Sequence, residues 1–132
     1  SDYIKLEDLP GYIRHYVAED ETILSAFKTI RDHGVFTDMK IVLFDNYSKS
    51  GVHKQIYTIP YNTISTMSVV FREKSAEIDI LLTSGYSIRL TFVDVSVKDK
   101  VRLRVLYTVI TRIISNQEPN KVDVNRLVEN DF

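Results

Sequence analysis

Apolar and polar positions alternate with a short period through the middle of this chain and with a helical period towards its end. Between Val35 and Thr66 the sequence reads VFTDMKIVLFDNYSKSGVHKQIYTIPYNTIST, in which apolar runs are broken by polar clusters carrying turn residues, and the stretch predicts three strands. Phe36 closes the first. Thr37-Asp38-Met39 turns the chain into a second strand from Lys40 to Asp45, where Ile41, Val42, Leu43 and Phe44 run together. A loop from Asn46 to Gly51 feeds the third strand, Lys54 to Ile59, and Pro60, which has no N–H to donate, ends its ladder.

Upstream, Leu6, Leu9, Ile13, Tyr16 and Val17 recur at helical spacing, and Pro10-Gly11 sets the start of a short amphipathic N-terminal helix that covers a sheet edge or barrel mouth. Glu19-Asp20-Glu21 reads as a solvated connection. Thr22 to Ile30 carries apolar residues on both parities, as a strand buried on one side and partly covered on the other would, and Arg31-Asp32-His33-Gly34 reads as a turn into Val35.

Downstream, the apolar parity changes within Thr63 to Arg72: Ile64 is even, whereas Met67, Val69 and Phe71 are odd. A strand with one buried face must therefore bulge or bend near Ser65-Thr66, as happens where a chain passes from one sheet to another. Ile78, Ile80 and Leu82, then Ile88, Leu90 and Phe92, alternate on either side of Ser84-Gly85 and predict a hairpin. Ser96 followed by Asp99 has the spacing of a capping box, and Val101, Val105, Val109 and Ile113 then recur every four residues in a helix running to Ile114. With Leu103, Leu106, Tyr107, Ile110 and Ile114, its apolar face spans about two-thirds of the circumference, more than one sheet covers. The N-terminal or C-terminal segment, or another subunit, must cover the remainder. Pro119-Asn120 ends the helix, and Lys121 to Phe132 is either a frayed tail or a short docking segment.

Composition narrows the chemistry. The chain has 132 residues, 44% hydrophobic and 27% charged, enough for one domain with a real core. The segments are an N-terminal arm over residues 1–18, a central domain over 19–115 and a tail over 116–132. Without cysteine there is no disulfide, thiolate nucleophile or zinc–sulfur site, and the chain suits a reducing compartment. A net charge of -1 gives no general attraction to nucleic acid, so no nucleic-acid partner is expected. No apolar run approaches the roughly 20 residues that span a bilayer, and the opening residues lack the pattern of a signal peptide. The expected location is cytoplasmic, with peripheral membrane contact as an alternative.

Catalytic signals are weak. His15, His33 and His53 lie in three separate elements without metal-ligand spacing, so no metal site is expected. Glu77 and Asp79 share a strand face, which usually marks a solvated sheet surface rather than an acid/base pair. Gly51 and Gly85 stand alone in turns, with no phosphate-cradling loop, and no serine sits in a nucleophile elbow. No catalytic residue and no cofactor is predicted. Two basic groups are candidate anion contacts: Lys49 and Lys54 beside His53, and Lys98, Lys100, Arg102 and Arg104 at the start of the long helix.

Seven strands followed by one long helix outline a small barrel of two orthogonal sheets whose open end the helix plugs, a mainly β fold with α. The phrases that accompany this outline are Arg31-Asp32, Val35-Phe36-Thr37, Lys40-Ile41-Val42-Leu43, Ile59-Pro60-Tyr61 and Ile64. In combination, from about Glu19 to Ile114, they resemble the bacterial pleckstrin-homology (PH) domains, which show R-D-x-x-x-F-T, a basic and aliphatic strand, then I-P-Y with an aliphatic residue three positions on. Members often carry a glycine-containing turn and a phenylalanine where this chain has Glu73-Lys74-Ser75-Ala76. The resemblance implies a PH-like domain that is not an enzyme, in a group where ring-like homo-oligomers are known. The expected role is a protein-interaction or homo-oligomeric assembly module, with Leu103, Tyr107 and Ile114 at the contact. Binding of anionic lipid headgroups is the alternative, and Asp32 beside Arg31 counts against it.

Overall fold

Within residues 2–29, 32–46 and 54–132, which the computed structural model describes, eight strands form two antiparallel sheets and two helices follow. Strands β1 (Asp2–Ile4), β2 (Ile23–Lys28), β3 (His33–Thr37), β4 (Lys40–Asn46) and β5 (Lys54–Pro60) make a five-stranded sheet in sequence order. Strands β6 (Ile64–Phe71), β7 (Ser75–Leu82) and β8 (Ser87–Val93) make the second, and the helices are α1 (Val97–Ile114) and α2 (Lys121–Glu129). This is the PH-like architecture, with one strand more than the seven expected. No ladder joins the two sheets among the described residues, so they face each other without closing into a barrel. Of the expected loop from Asn46 to Gly51, Asn46 instead ends β4, and the rest, with Lys49, lies outside the described residues, as do Arg31 and His53.

The transition between sheets follows from local chemistry. Pro60 takes the last register position of β5, opposite Lys40, and a short 3-10 turn, Tyr61–Thr63, redirects the chain. The register then shifts between Ile64 and Thr66, where the parity change required a bulge. Beyond it Met67 and Val69 oppose Ile80 and Ile78 on the inner face. The β7–β8 hairpin turns at Gly85, whose φ of 91° favours glycine. Leu24, Phe27, Phe36 and Ile41 from one sheet meet Ile78, Ile80, Leu90 and Phe92 from the other in a shared core.

A second small core lies on the outer face of the five-stranded sheet. Ile4, Leu6, Leu9, Tyr12, Ile13 and Val17 pack over Ile23, Ala26, Val35, Val42 and Phe44. The arm is not the expected α-helix: β1 is followed by 3-10 segments at Leu6–Asp8 and Gly11–Tyr16, and it covers a sheet face rather than an edge. Leu6, Leu9 and Tyr12 recur every three residues, the 3-10 repeat, and Pro10 interrupts the run before an α-helix could propagate. With both sheet faces covered, β2 is buried from Ile23 to Phe27.

Gly34, expected in a turn, lies inside β3 opposite Phe27. A Cβ there would come within 2.3 Å of the Phe27 ring, so the missing side chain is what lets that ring lie across the strand.

The breadth of the apolar face on α1 is also explained. Ser96 caps α1 and Asp99 completes the capping box, and Leu103, Leu106, Val109 and Ile110 enter the main core. Asn120 caps α2 by accepting from the Val122 and Asp123 N–H groups, and α2 packs on both α1 and β2. Leu127 is thereby buried in the main core, a contribution of about 2 kcal/mol. The last segment is thus a docked helix.

Candidate functional site

Three of the predicted contact residues are used within the fold. Leu103 is buried in the main core; Tyr107 is half-buried and its hydroxyl donates to the Met67 carbonyl at 3.4 Å; Ile114 is half-buried against the same core. The two sheets and α2 pack against the wide apolar face of the helix.

The basic residues at the start of α1 do not converge. At 100° per residue, Lys98 and Arg102 fall on one side of the helix and Lys100 and Arg104 on another. Lys98 and Arg104 are exposed, and the Lys100 ammonium donates to the Glu73 carbonyl at 2.8 Å. Arg102 is only 7% exposed, contrary to a solvated cationic face. Its guanidinium pairs with the Asp99 carboxylate and donates to the Asn130 side-chain oxygen, and it lies over the rings of Tyr3, at 3.6 Å, and Phe132, at 5.2 Å. Lys54 begins β5, its side chain being outside the described set, and so is Lys49.

The phrases carrying the family resemblance prove to be joints. Tyr61 of Ile59-Pro60-Tyr61 donates its hydroxyl to the Thr37 carbonyl at 2.6 Å, tying the corner between sheets to the β3–β4 turn. Burial, then the charges of Asp38 and Glu21, push that phenol well above its ordinary pKa, so it remains a donor. The Thr37 hydroxyl in turn donates to Glu21, which also accepts from the Lys40 ammonium at 3.1 Å and the Ala18 N–H at 3.0 Å. Glu21, expected in a solvated connection, is buried; burial opposes its ionisation, but these three hydrogen bonds outweigh it and hold the carboxyl below its ordinary range.

Glu77 and Asp79 lie on the solvent face of the three-stranded sheet and share Arg89, at 3.4 and 2.8 Å. The hydrogen bond from Arg89 lowers the Asp79 pKa, the opposite of what a general acid needs. Among the described residues no cluster of His, Asp and Glu could hold a metal ion, and no helix is long and apolar enough to cross a membrane.

One feature outside the predicted set stands out among the strand edges. Edge strand β5 carries Lys54 and Pro60, edge strand β8 carries Arg89, and β1 is only three residues long. These are the devices that discourage pairing with another chain. Edge strand β6, ISTMSVVF, has neither charge nor proline over eight residues. The Arg72 N–H donates to the Ser75 carbonyl at 2.8 Å, so alternation along the antiparallel ladder turns the backbone groups of Phe71, Val69 and Met67 away from β7. The Tyr107 bond to the Met67 carbonyl agrees with that direction. Val70 and Phe71 are exposed beside this open edge. The signal was present in the sequence as a charge-free run, which the parity argument read only for its bend.

Two facing sheets, a redirecting corner and a C-terminal helix over their shared core define a domain of the pleckstrin-homology class. The model of the family described as bacterial PH domain matches residues 2–114, and the chain belongs to that family. Two solved structures share the fold. A DUF1696 family protein with a pleckstrin-homology domain from Shewanella loihica is 21% identical with a TM-score of 0.59, over 87% of this chain and 94% of that one. A PH domain containing bacterial protein from Exiguobacterium sibiricum is 20% identical with a TM-score of 0.67, over 87% of this chain and 63% of that one. The uncharacterized protein YjqA of Bacillus subtilis is 39% identical over 57 residues, which are 43% of this chain and 46% of that protein. The match to YjqA thus spans less than half of its length.

Proposed function

We propose that this domain is a non-enzymatic interaction module that assembles with a second copy of itself through the edge of β6. The observation that carries the reading is the charge-free β6 edge, where the outward backbone groups of Val69 and Phe71 face no strand among the described residues. Antiparallel pairing of β6 with its own copy about a two-fold axis uses the same edge on both sides and closes the assembly. It would satisfy the outward backbone groups of Val69 and Phe71 and cover the exposed Phe71 ring. Leu103 is buried in the core and stands back from this contact, whereas half-buried Tyr107, bonded to the Met67 carbonyl, lies beside the β6 edge.

Absolute mass in solution tests the proposal, measured by light scattering over a wide concentration range and at two salt concentrations. A discrete multiple of 15.3 kDa that persists on dilution and is insensitive to salt supports pairing through an uncharged edge. A strict monomer overturns it. Cosedimentation of that monomer with anionic but not neutral vesicles, lost at high salt, would instead favour headgroup binding by Lys98 and Arg104.

A further inference from the structure

The edge of β6 is bracketed by two side chains from α1. At one end the Tyr107 hydroxyl donates to the Met67 carbonyl at 3.4 Å. At the other, just past the strand, the Lys100 ammonium donates to the Glu73 carbonyl at 2.8 Å. Tyr107 and Lys100 lie about two helical turns apart and therefore act from one side of α1. Val70 is the midpoint of the stretch between Met67 and Glu73.

This bracket decides how a second copy is received. In an antiparallel pair the outward residues of one strand must oppose the outward residues of the other, so only alternate alignments are available. One of them sets Val69 opposite Val69 and Met67 opposite Phe71. On a bare edge it would be favoured, because Met67 as well as Val69 and Phe71 would exchange backbone hydrogen bonds. Tyr107 stands against it: its hydroxyl already sits on the Met67 carbonyl, the acceptor that the Phe71 N–H of the other copy would need.

The next alignment pairs Val69 with Phe71 in both directions and sets Val70 opposite Val70 at the two-fold axis. It asks nothing of Met67 or Glu73, which would face each other next and whose carbonyls α1 already holds. Bracket and axis thus share one centre. On the outer face the two Val70 side chains, each 37% exposed, meet. A charge-free edge without such stops would slip between registers.

We infer that α1 specifies the register of self-assembly: Tyr107 and Lys100 close the two ends of the β6 edge and confine pairing to Val69–Phe71, centred on Val70. The inference rests on the proposed pairing through β6, and the experiment separates the two.

The chain has no cysteine, so introduced cysteines report register without background. Directly opposite residues of a non-hydrogen-bonded pair have Cα atoms about 4.5 Å apart, within disulfide reach, whereas diagonal neighbours at about 7–8 Å are beyond it. Chains carrying Val70→Cys and Ser68→Cys are mixed and mildly oxidised, and the linked dimers are resolved by intact mass. The register about Val70 joins Val70→Cys to itself; the longer one joins Val70→Cys to Ser68→Cys. The expected result is about a tenfold excess of the self-linked dimer over the mixed one, with Val93→Cys, exposed on β8, as the measure of random collision. Mixed dimer in excess overturns the register and leaves pairing through β6 standing. Neither dimer above the Val93→Cys background overturns the register, and a monomeric mass for the unaltered chain removes the pairing as well. Tyr107→Leu shortens the side chain but keeps it apolar, and in the two cysteine chains it should raise the mixed dimer about tenfold. A Tyr107→Leu chain that folds and keeps the original ratio overturns the role of Tyr107.

Discussion

The guanidinium carbon of Arg102 lies 3.6 Å from the centroid of the Tyr3 ring, so a residue in the first turns of α1 is clasped by the strand that opens the chain. Asn130 and Phe132, from the other end, complete the enclosure. Replacing Arg102 by Met keeps the length of the side chain but strands Asp99 and Asn130. The expected loss, read from urea unfolding, is about 2 kcal/mol, below that for a fully buried pair because a third of the Asp99 side chain is exposed. Arg102→Lys should not restore it, since a point charge cannot serve both acceptors and the ring. Asn130→Gly preserves the left-handed cap, φ 55°, and removes only the acceptor; a loss of about 1 kcal/mol separates that bond from the backbone role.

Gly34→Ala should be costly for a different reason. The added methyl meets the Phe27 ring and the Leu43 side chain, and Phe27 is fixed between Phe36 and Phe92. Overpacking of this kind costs about 1–3 kcal/mol, and a midpoint unchanged in urea would show that the ring moves freely.

Glu21 ties stability to pH. Its folded pKa is depressed, so its contribution is present above the ordinary value of 4.5 and is lost as pH falls from there through the folded value. Glu21→Gln should cost about 2 kcal/mol at neutral pH through lost charge-assisted bonds. Unfolding measured down through the acid range should show the difference between parent and variant shrinking; a constant difference would disprove the link.

On the β6 edge, Val70→Lys should leave stability within about 0.5 kcal/mol, because Val70 is 37% exposed. Across a two-fold it sets like charges near each other, and it also charges the edge. Light scattering should then report only 15.3 kDa, and an unchanged assembly would place the contact elsewhere.

Much of this architecture is legible in the residue pattern. The β7–β8 hairpin, the bulge after Ile64 and the Ser96 cap each rest on a signal within a few residues, and each lies where the pattern put it. The misses share a cause. β1 spans three residues, too few to display a period, and exists because β2 offers an edge farther along the chain, pairing Asp2 with Lys28 and Ile4 with Ala26. The 3-10 arm, the strand position of Gly34 and the burial of Glu21 depend on neighbours distant in sequence. Arg102 looks like one of four basic residues until α2 folds back over it.

The clasp around Arg102 also brings the two ends of the described chain together: the Tyr3 hydroxyl lies 3.3 Å from the Asn130 side-chain oxygen. Any segment joined to either end leaves from the same corner, on the side of α1 away from its last turn. A short linker could therefore connect the present ends, and new ends could be opened in the β7–β8 turn at Gly85, without breaking either core.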